Sequence, residues 1–341
     1  MDNFYSILSG TSNSLVVPLM LISSLMGFYT ASSAIAIPTD QSTVVSTTWK
    51  IPSEDITDIE ASFNGDIYFT KYNDNKIGRL IPLTNTITEW TIPTNNSGPL
   101  DLALDTFSGN IYFVEHKGNK IGRLIPLTNT ITEWTIPTNN SGPAEIEFDA
   151  ATGSIFFTQN NTNNIGRFII DTNTFTEWTL SENLSESIIT EFLYDRGSDS
   201  IFFIKLNGDN LEKLDLRNNT VSRWPVQMNG IKEKINSISN GFVDKIYFTK
   251  EDENKIGSLT PSTNTITEWI VPTNNSGPSQ IQFDTSTGSL YYVQNNTNNI
   301  GRLNIDSNSF TEWPSPNPKF LEVDNGGNVY FVAVDTIGRL S

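Results

Sequence analysis

The chain repeats itself at a fixed interval. The stretch from Ile77 to Pro99 recurs letter for letter from Ile121 to Pro143, 44 residues further on, and returns slightly altered from Ile256 to Pro278. All seven tryptophans lie on this period: Trp49, Trp90, Trp134, Trp178, Trp224, Trp269 and Trp313. Repeats of about 40–50 residues with several short strands per unit are typical of β-propellers. The sequence therefore predicts an all-β fold, a single propeller of four-stranded antiparallel blades.

Each repeat reads as four strands, A to D, separated by turns. An apolar segment after a proline, such as 99–104, is followed by a turn rich in Asp, Gly, Ser and Thr, where Gly supplies positive φ. A β-branched and aromatic strand comes next, such as Ile111-Tyr112-Phe113, and its residues suit a surface buried between blades. An Asn-rich turn, an Ile-Gly-Arg-Leu strand, a second turn and an Ile-Thr-Glu-Trp strand complete the unit. One unit is therefore one blade.

The two ends of the chain fix the number of blades. The Ile-Gly-Arg strand and the Trp strand each occur seven times, but the two series are out of phase. Trp49 opens the folded region with no Ile-Gly-Arg strand before it, and Ile337 to Leu340 close it with no Trp strand after it. We therefore expect seven blades, with the N-terminal strand completing the last one and leaving no open sheet edge.

The repeated tryptophan has a packing explanation. With a three-residue turn between strands C and D, we expect Arg79 to lie opposite Glu89 and Gly78 to lie beneath Trp90. An aromatic ring over a glycine, next to an opposite-charge pair, stabilises a strand pair. In the fourth unit the glycine becomes Glu212, the arginine becomes Lys213 and the glutamate becomes Arg223, so an opposite-charge pair is retained with the signs exchanged. We therefore interpret the tryptophans as packing residues and not as a ligand cage.

Charge and composition exclude several classes of function. The net charge of −17 argues against nucleic acid and anionic membrane surfaces as partners, since both attract basic proteins. The chain has no cysteine, which rules out disulfides, thiol nucleophiles and thiolate metal sites. His116 is the single histidine of the chain. A Ser/His/Asp arrangement is therefore possible only at that residue, and no pair of histidines is present to bind zinc.

The N-terminus predicts export. No residue from Leu15 to Ile37 is charged, and Ala34-Ile35-Ala36 places small residues where a signal peptidase cuts. Three interpretations of residues 1–36 stay open. They are a cleaved signal peptide, a retained membrane anchor, because 23 uncharged residues are long enough to cross a bilayer, or a wrongly assigned start of the chain, in which case export does not follow. Residues 37–43 then form a linker and 44–341 the propeller. A secreted or cell-surface location follows, with a membrane contacted only through such an anchor.

The repeated motifs resemble a known family. Ile-Gly-Arg-Leu, Asn-Lys-Ile-Gly and Ile-Thr-Glu-Trp-Thr-Ile-Pro-Thr are similar to those of the virginiamycin B lyase (streptogramin lyase) propellers, over roughly Val44 to Ser341. The resemblance implies a C–O lyase that opens a cyclic depsipeptide at its ester. It also implies a divalent metal, usually Mg²⁺, held by glutamates beside catalytic histidines on one face.

The chain departs from the family pattern at the end of strand B. The resemblance implies an acidic residue there, facing the axial site, but only Glu115 is acidic among the seven equivalents: Lys71, Glu115, Gln159, Lys205, Lys250, Gln294 and Ala333. Because His116 is the only imidazole, Glu115 and His116 are the only candidates for lyase-type catalysis. The sequence favours a protein without catalytic activity. Metal binding stays open, as Mg²⁺ at Glu115 or as Ca²⁺ at the carboxylates Glu251, Asp252 and Glu253.

Ligand binding is expected where the repeats diverge. Loops on a rigid scaffold concentrate binding residues, and the B–C loops and the D–A segments differ most between units. The candidate contacts are Lys71, Tyr72, Glu115, His116, Lys205, Lys250, Lys232 and Glu233. Segment 227–236 is the expected main contact, and its amide-rich neighbours suit a carbohydrate, peptide or protein ligand.

Three functions follow from the sequence. The favoured one is an exported, non-catalytic propeller that acts as a surface or extracellular binding scaffold. The alternatives are a metal-dependent streptogramin-lyase-like enzyme, degenerate in its catalytic residues, and a hydrolase that uses acidic residues alone.

Overall fold

The computed structural model describes residues 47–52, 55–180, 188–206, 208–226, 234–242 and 244–340. These residues form 28 strands in seven four-stranded antiparallel sheets, so the fold is a seven-bladed β-propeller. No helix in these ranges is long and apolar enough to cross a membrane. The predicted signal peptide or anchor (1–36) and the linker (37–43) lie outside the described residues.

The strands of blades 1 to 6 follow one another along the chain, from A at the axis to D at the outside. Blade 1 contains β2 Ile56–Ala61, β3 Ile67–Lys71, β4 Lys76–Ile81 and β5 Thr86–Thr91. Blade 2 contains β6 Pro99–Leu104, β7 Ile111–Glu115, β8 Lys120–Ile125 and β9 Thr130–Thr135. Blade 3 contains β10 Pro143–Asp149, β11 Ser154–Gln159, β12 Asn164–Ile169 and β13 Thr174–Thr179. Blade 4 contains β14 Ile189–Asp195, β15 Ser200–Lys205, β16 Asn210–Asp215 and β17 Thr220–Pro225. Blade 5 contains β18 Ile238–Asn240, β19 Ile246–Lys250, β20 Lys255–Thr260 and β21 Thr265–Ile270. Blade 6 contains β22 Pro278–Asp284, β23 Ser289–Gln294, β24 Asn299–Asn304 and β25 Ser309–Pro314.

Blade 7 is assembled from both ends of the chain. It contains β26 Pro318–Val323, β27 Val329–Ala333, β28 Thr336–Arg339 and, as its outer strand, β1 Thr47–Lys50. Thr47 pairs with Arg339 and Trp49 with Ile337. The expected closure by the N-terminal strand is therefore confirmed, and it removes the edge that strand β28 would otherwise expose.

The core lies between the blades. Each buried cluster joins strands of two neighbouring blades, for example Tyr68 and Trp90 of blade 1 with Leu102 and Phe113 of blade 2. Tryptophans also link blades by hydrogen bonds: the Trp90 indole N–H donates to Asn129 Oδ1 of the next blade at 2.8 Å. The packing interpretation of the tryptophans fits this arrangement.

The expected pairing between strands C and D is wrong by one residue. Glu89 lies opposite Gly78, Thr88 opposite Arg79, and Trp90 opposite Ile77. The ring that covers Gly78 belongs to Phe69 on strand B, and a Cβ added at Gly78 would lie 2.2 Å from it. Arg79 pairs with Asp66 of the A–B turn instead of Glu89. In blade 4, Glu212 takes the glycine position and pairs with Arg223 at 3.1 Å.

Candidate functional site

One end of the ring carries the B–C loops and the D–A segments, which we call the loop face. An asparagine at positive φ in the B–C loop joins the two. The Asn75 amide donates to the carbonyls of Ile92 and Thr94, and its oxygen accepts from the backbone N–H and hydroxyl of Ser97. Asn119 and Asn254 make the same four bonds in blades 2 and 5. These asparagines therefore hold the loops together and are not free to contact a ligand.

Other asparagines of the loop face point into solvent. The Asn-Asn pairs of the D–A segments are exposed in blades 1, 2 and 5, and so are several B–C residues of blades 3 and 6: Asn95, Asn96, Asn139, Asn140, Asn161, Asn274, Asn275, Asn295 and Asn296. Each amide carries two donors and an acceptor oxygen. The face therefore presents a rim of neutral hydrogen-bonding groups.

The side chain at the end of strand B contacts the glutamate of strand D in the same blade. Lys71 Nζ lies 2.7 Å from Glu89 Oε1, and Lys250 Nζ lies 2.9 Å from Glu268 Oε1. In blades 3 and 6 an amide replaces the ammonium: Gln159 donates to Glu177 at 2.6 Å and Gln294 to Glu312 at 2.7 Å. In blade 4, Lys205 pairs with Glu212 of strand C at 3.2 Å. All five side chains are buried, so these positions already serve internal pairs.

Blade 2 breaks this pattern by placing two carboxylates together. Glu115 is fully buried beside Glu133, and neither Glu115 oxygen has a hydrogen bond of ordinary geometry. Burial, and then repulsion from Glu133, raises the pKa of Glu115 to about 8. Burial alone would also raise the pKa of Glu133, but bonds from Lys120 and Thr94 outweigh it and hold that pKa below its usual value. Glu115 therefore takes up the proton that this crowded pair requires.

His116 lies in the next loop position, partly buried. Its Nδ1 lies 3.0 Å from the carbonyl oxygen of Pro143, at the start of the next blade. If Nδ1 carries the proton and donates this bond, Nε2 is left as the acceptor. The sequence placed Glu115 and His116 together as neighbours, and the structure adds Glu133 to them, which the sequence reasoning did not include.

Of the remaining predicted ligand contacts, the described residues Lys71, Tyr72, Lys205 and Lys250 lie on the same face but are not grouped around one site. Tyr72 stacks under Lys117, whose Nζ lies 4.4 Å from the ring centre. Lys71, Lys205 and Lys250 are buried in the internal pairs. Lys232 and Glu233, with most of segment 227–236, lie outside the described residues, so their role stays a prediction.

The carboxylates in the acidic loop of blade 5 do not converge on one point, because two of them bind different neighbouring side chains. Glu251 Oε2 accepts from Asn236 at 2.6 Å, and Glu253 lies 3.0 Å from Lys250 Nζ. Asp252 is exposed. Within the described ranges no group of three or more His, Cys, Asp or Glu residues is arranged to hold a metal ion.

The central channel is lined by strand A of every blade. A cavity of 180 Å³ on the axis is bordered by seven carboxylates and by neutral groups such as Ser237 and Gln280, with no basic residue in its lining. The carboxylates are Asp58, Glu60, Asp101, Glu145, Glu147, Glu191 and Glu322. The residues expected to face the axis, at the ends of strand B, do not line this cavity. That expectation is therefore corrected: strand A, whose register shifts at a β-bulge, aims its acidic side chains there.

These polar side chains join neighbouring blades. The side chain of one strand A accepts a hydrogen bond from a backbone N–H of the next strand A at six of the seven interfaces in the described chain. The bonds run from Leu102 to Asp58 (3.2 Å), Ile146 to Asp101 (2.7 Å), Tyr194 to Glu147 (2.5 Å), Ile238 to Glu191 (2.6 Å), Ile281 to Ser237 (3.1 Å) and Leu321 to Gln280 (2.6 Å). Strand A is an edge strand, so the acceptors satisfy N–H groups that the sheet leaves open.

Burial in the narrow channel raises the pKa values of its carboxyl groups. It raises the pKa of Glu147, Glu191 and Glu322 to about 8 each. Burial, and then repulsion from Asp101, raises the pKa of Asp58 well above its usual value. Burial followed by repulsion from neighbouring carboxylates does the same for Glu60 and Glu145. The alternation Asp58-Ile59-Glu60 and Glu145-Ile146-Glu147 is the signal in the sequence that could have revealed this lining.

Comparisons with known proteins agree with the fold and the motifs. The model of the virginiamycin B lyase family matches residues 28–189. The crystal structure of virginiamycin B lyase from Staphylococcus aureus superposes with a TM-score of 0.74 at 25% identity, covering 87% of this chain and 99% of that one. A streptogramin B lyase structure gives a TM-score of 0.75 at 26% identity, covering 87% and 97%. The chain is a virginiamycin B lyase-like seven-bladed β-propeller.

A further similar structure concerns the activity of the S. aureus enzyme. It is a catalytically inactive His-to-Ala variant of that lyase with quinupristin, and it matches this lyase-like propeller with a TM-score of 0.73 at 25% identity, covering 87% of this chain and 99% of that one. No match was found among curated protein sequences. The predicted resemblance is therefore confirmed at the level of fold and family likeness.

Proposed function

We propose that this lyase-like propeller is an exported, non-catalytic binding or scaffold protein whose ligand contacts the loop face. The observation that carries the proposal is the state of the strand B ends. In five blades a Lys or Gln at this position is buried against a glutamate of its own blade, and in blade 7 the position is Ala333. Six of the seven positions therefore offer no carboxylate to a metal or substrate.

The ligand follows from the chemistry of the rim. The exposed asparagines supply donors and acceptors without charge, which suits the hydroxyls of a carbohydrate or the backbone of a peptide. The net charge of −17 works against polyanionic ligands. A neutral carbohydrate, peptide or protein surface is therefore the proposed partner, and segment 227–236 with Lys232 and Glu233 is proposed to contribute to the contact.

The test is binding to glycan and peptide arrays by the purified full chain. The variant replaces Asn95, Asn139 and Asn274 by alanine, since these three equivalent side chains are exposed and not used in the loop hydrogen bonds. The control, Thr106→Ala, lies in an A–B turn at the opposite end of the ring. We expect array binding that the triple variant loses and the control keeps. Absence of binding on both arrays, or binding unchanged in the triple variant, would contradict the proposal.

A lyase-type activity is the second candidate, and one observation favours it. Glu115 and Glu133 form a pair of neighbouring carboxylates on the loop face, next in sequence to the only histidine. A pair of glutamates is part of what the family likeness implies for Mg²⁺. Because the described residues contain no third such ligand in position, the set is incomplete for a metal site. Calorimetric titration of the full chain with Mg²⁺ tests it, and binding that disappears in Glu133→Gln would support this candidate.

A further inference from the structure

A cavity larger than the central channel lies between blades 7 and 1, at the end of the ring opposite the loop face. Its volume of 630 Å³ falls within the range of about 300–1000 Å³ that small-molecule sites occupy. In blades 1 to 6 a turn joins strands C and D at this end, but in blade 7 these strands are β28 and β1, from opposite ends of the chain. The closure of the ring therefore makes this interface different from those between the other blades.

Aromatic side chains form one part of the cavity wall. Trp49 and Tyr330 of blade 7 are 7% and 2% exposed, and Phe63 in the A–B turn of blade 1 is 79% exposed. The indole N–H of Trp49 has no hydrogen-bond partner within the described residues, whereas the indole of Trp90 in blade 1 donates to the next blade. A buried indole N–H usually finds a partner. The wall of the cavity therefore carries an open donor beside its aromatic surface.

An arginine of blade 7 adds a second donor group. In three other blades the arginine of strand C donates from Nε to the side chain where strand B begins: Arg79 to Asp66, Arg167 to Ser154 and Arg302 to Ser289, each at 3.0 Å. In blade 7 this position is Asn328, whose amide donates to Asp324 instead, at 2.8 Å. The Nε of Arg339 has no partner in the part of the chain that the structure describes, and Arg339 lines the cavity.

The charges of the lining argue against an ion as the ligand. Two carboxylates share the cavity wall with the guanidinium of Arg339, and both already accept hydrogen bonds, Asp66 from Asn64 and Asp324 from Asn328. An anion would meet the carboxylates, and a cation would meet the guanidinium. The two asparagines are exposed, and each amide has more donors and lone pairs than these bonds use. The lining therefore suits a neutral molecule that is rich in hydroxyl groups and has an apolar face.

We propose that the cavity between blades 7 and 1 binds a small neutral carbohydrate. Phe63 and Trp49 supply aromatic surface for the C–H face of a sugar ring. The guanidinium of Arg339 donates to the sugar oxygens, and the amides of Asn64 and Asn328 both donate to them and accept from the hydroxyls. This site is separate from the loop face, and the inference does not rest on the proposed function.

The test is saturation-transfer NMR on the full chain, with maltose, cellobiose and N,N′-diacetylchitobiose as probes. We expect transfer from the protein to at least one of these disaccharides. Arg339→Gln should raise the Kd about tenfold, because hydrogen bonds to a charged donor are lost. Phe63→Ala should raise it severalfold, and the exposure of this side chain means that the fold tolerates the change.

Blade 2 offers matched controls. Arg123 and Phe107 occupy the equivalent positions there, Arg123 Nε also has no partner within the described residues, and neither side chain lines the cavity. Arg123→Gln and Phe107→Ala should therefore leave the Kd unchanged. If Arg339→Gln lowers Tm, Phe63→Ala with its control decides the result.

Three outcomes overturn the inference. The first is an absence of transfer to all three disaccharides. The second is an equal loss of binding in the blade 2 controls, which would show that the cavity does not cause it. The third is binding that survives both cavity changes and is lost in the triple variant of Asn95, Asn139 and Asn274. That result would assign the sugar to the loop face, so it would refute this inference and support the proposed function.

Discussion

Glu191 on blade 4 accepts a hydrogen bond from the backbone N–H of Ile238 on blade 5, at 2.6 Å, inside the central channel. The same relationship joins five further pairs of blades, so the acidic lining has a structural purpose before any functional one. Carboxylates, an amide and a hydroxyl all serve as acceptors here. What the ring requires at this position is an oxygen, and a negative charge is not needed.

This relationship predicts that Glu191→Gln stabilises the ring at pH 8. Burial raises the pKa of Glu191 to about 8, so the folded state holds this proton more tightly than the unfolded state. The stability it contributes is present below the unfolded pKa and is lost as pH rises through about 8. Glutamine keeps the acceptor without the charge. We expect a gain on the order of 1–2 kcal/mol at pH 8 and little at pH 4.

Thermal unfolding across pH checks this prediction, with Glu191→Ala as the matched control. Alanine removes the acceptor and should lower Tm at both pH values. The wild-type ring should lose stability from about pH 5 to 8, because Glu147 and Glu322 titrate in the same direction. A wild-type Tm that rises over this range would show that the channel carboxyl groups are not shifted as described.

The Glu115–Glu133 pair predicts a second stabilising change. Burial and repulsion raise the pKa of Glu115 to about 8, so its contribution to stability is lost as pH rises through that value. Glu115→Gln reproduces the arrangement of Gln159 with Glu177 in blade 3. We expect a gain on the order of 2 kcal/mol at pH 8 by denaturant unfolding. The reciprocal Gln159→Glu should destabilise blade 3. If Glu115→Gln and Gln159→Glu changed the stability equally and in the same direction, the internal-pair interpretation would be refuted.

Closure by the N-terminal strand predicts the effect of a deletion. Removing residues 44–52 takes away the Trp49–Ile337 pairing and exposes the edge of strand β28. We expect a loss of several kcal/mol, seen as a fall in Tm of roughly 10 °C or more. A deletion of residues 1–43 is the control, since it leaves β1 in place. An unchanged Tm after the deletion of residues 44–52 would contradict closure.

The glycine on strand C predicts a steric effect. A Cβ at Gly122 would lie 2.1 Å from the ring of Phe113. We expect Gly122→Ala to destabilise the protein by about 1–3 kcal/mol through overpacking. Combining it with Phe113→Leu should recover part of that loss relative to the sum of the single changes. Additive effects would show that the aromatic ring of Phe113 does not require a glycine at position 122.

The sequence predicted the ring, its seven blades and its closure because each depends on a pattern repeated along the chain. The pairing of Arg79 was missed because a three-residue turn fits more than one register, and the ring over Gly78 comes from a strand on its other side. Counting the residues of the turn cannot distinguish these registers, because the bulges and the turn geometry decide which residues pair.

The site was harder to predict because it depends on contacts between strands. Glu89 and its equivalents read as surface partners of arginine, yet they bind the strand B ends. Consequently the Glu115–Glu133 pair could not be seen in one motif. The channel carboxylates belong to strands that read as apolar, and only the three-dimensional ring places them together on one axis.

The proposed lack of lyase activity is tested most directly with the antibiotic itself. The purified full chain is incubated with quinupristin and Mg²⁺, and opening of the ester is followed by mass spectrometry, with Glu115→Gln and His116→Ala as matched variants. We predict no opening above the protein-free rate, because six strand B ends offer no carboxylate and one imidazole stands alone. Mg²⁺-dependent opening by the wild-type chain that both variants abolish would contradict the non-catalytic function and establish the lyase.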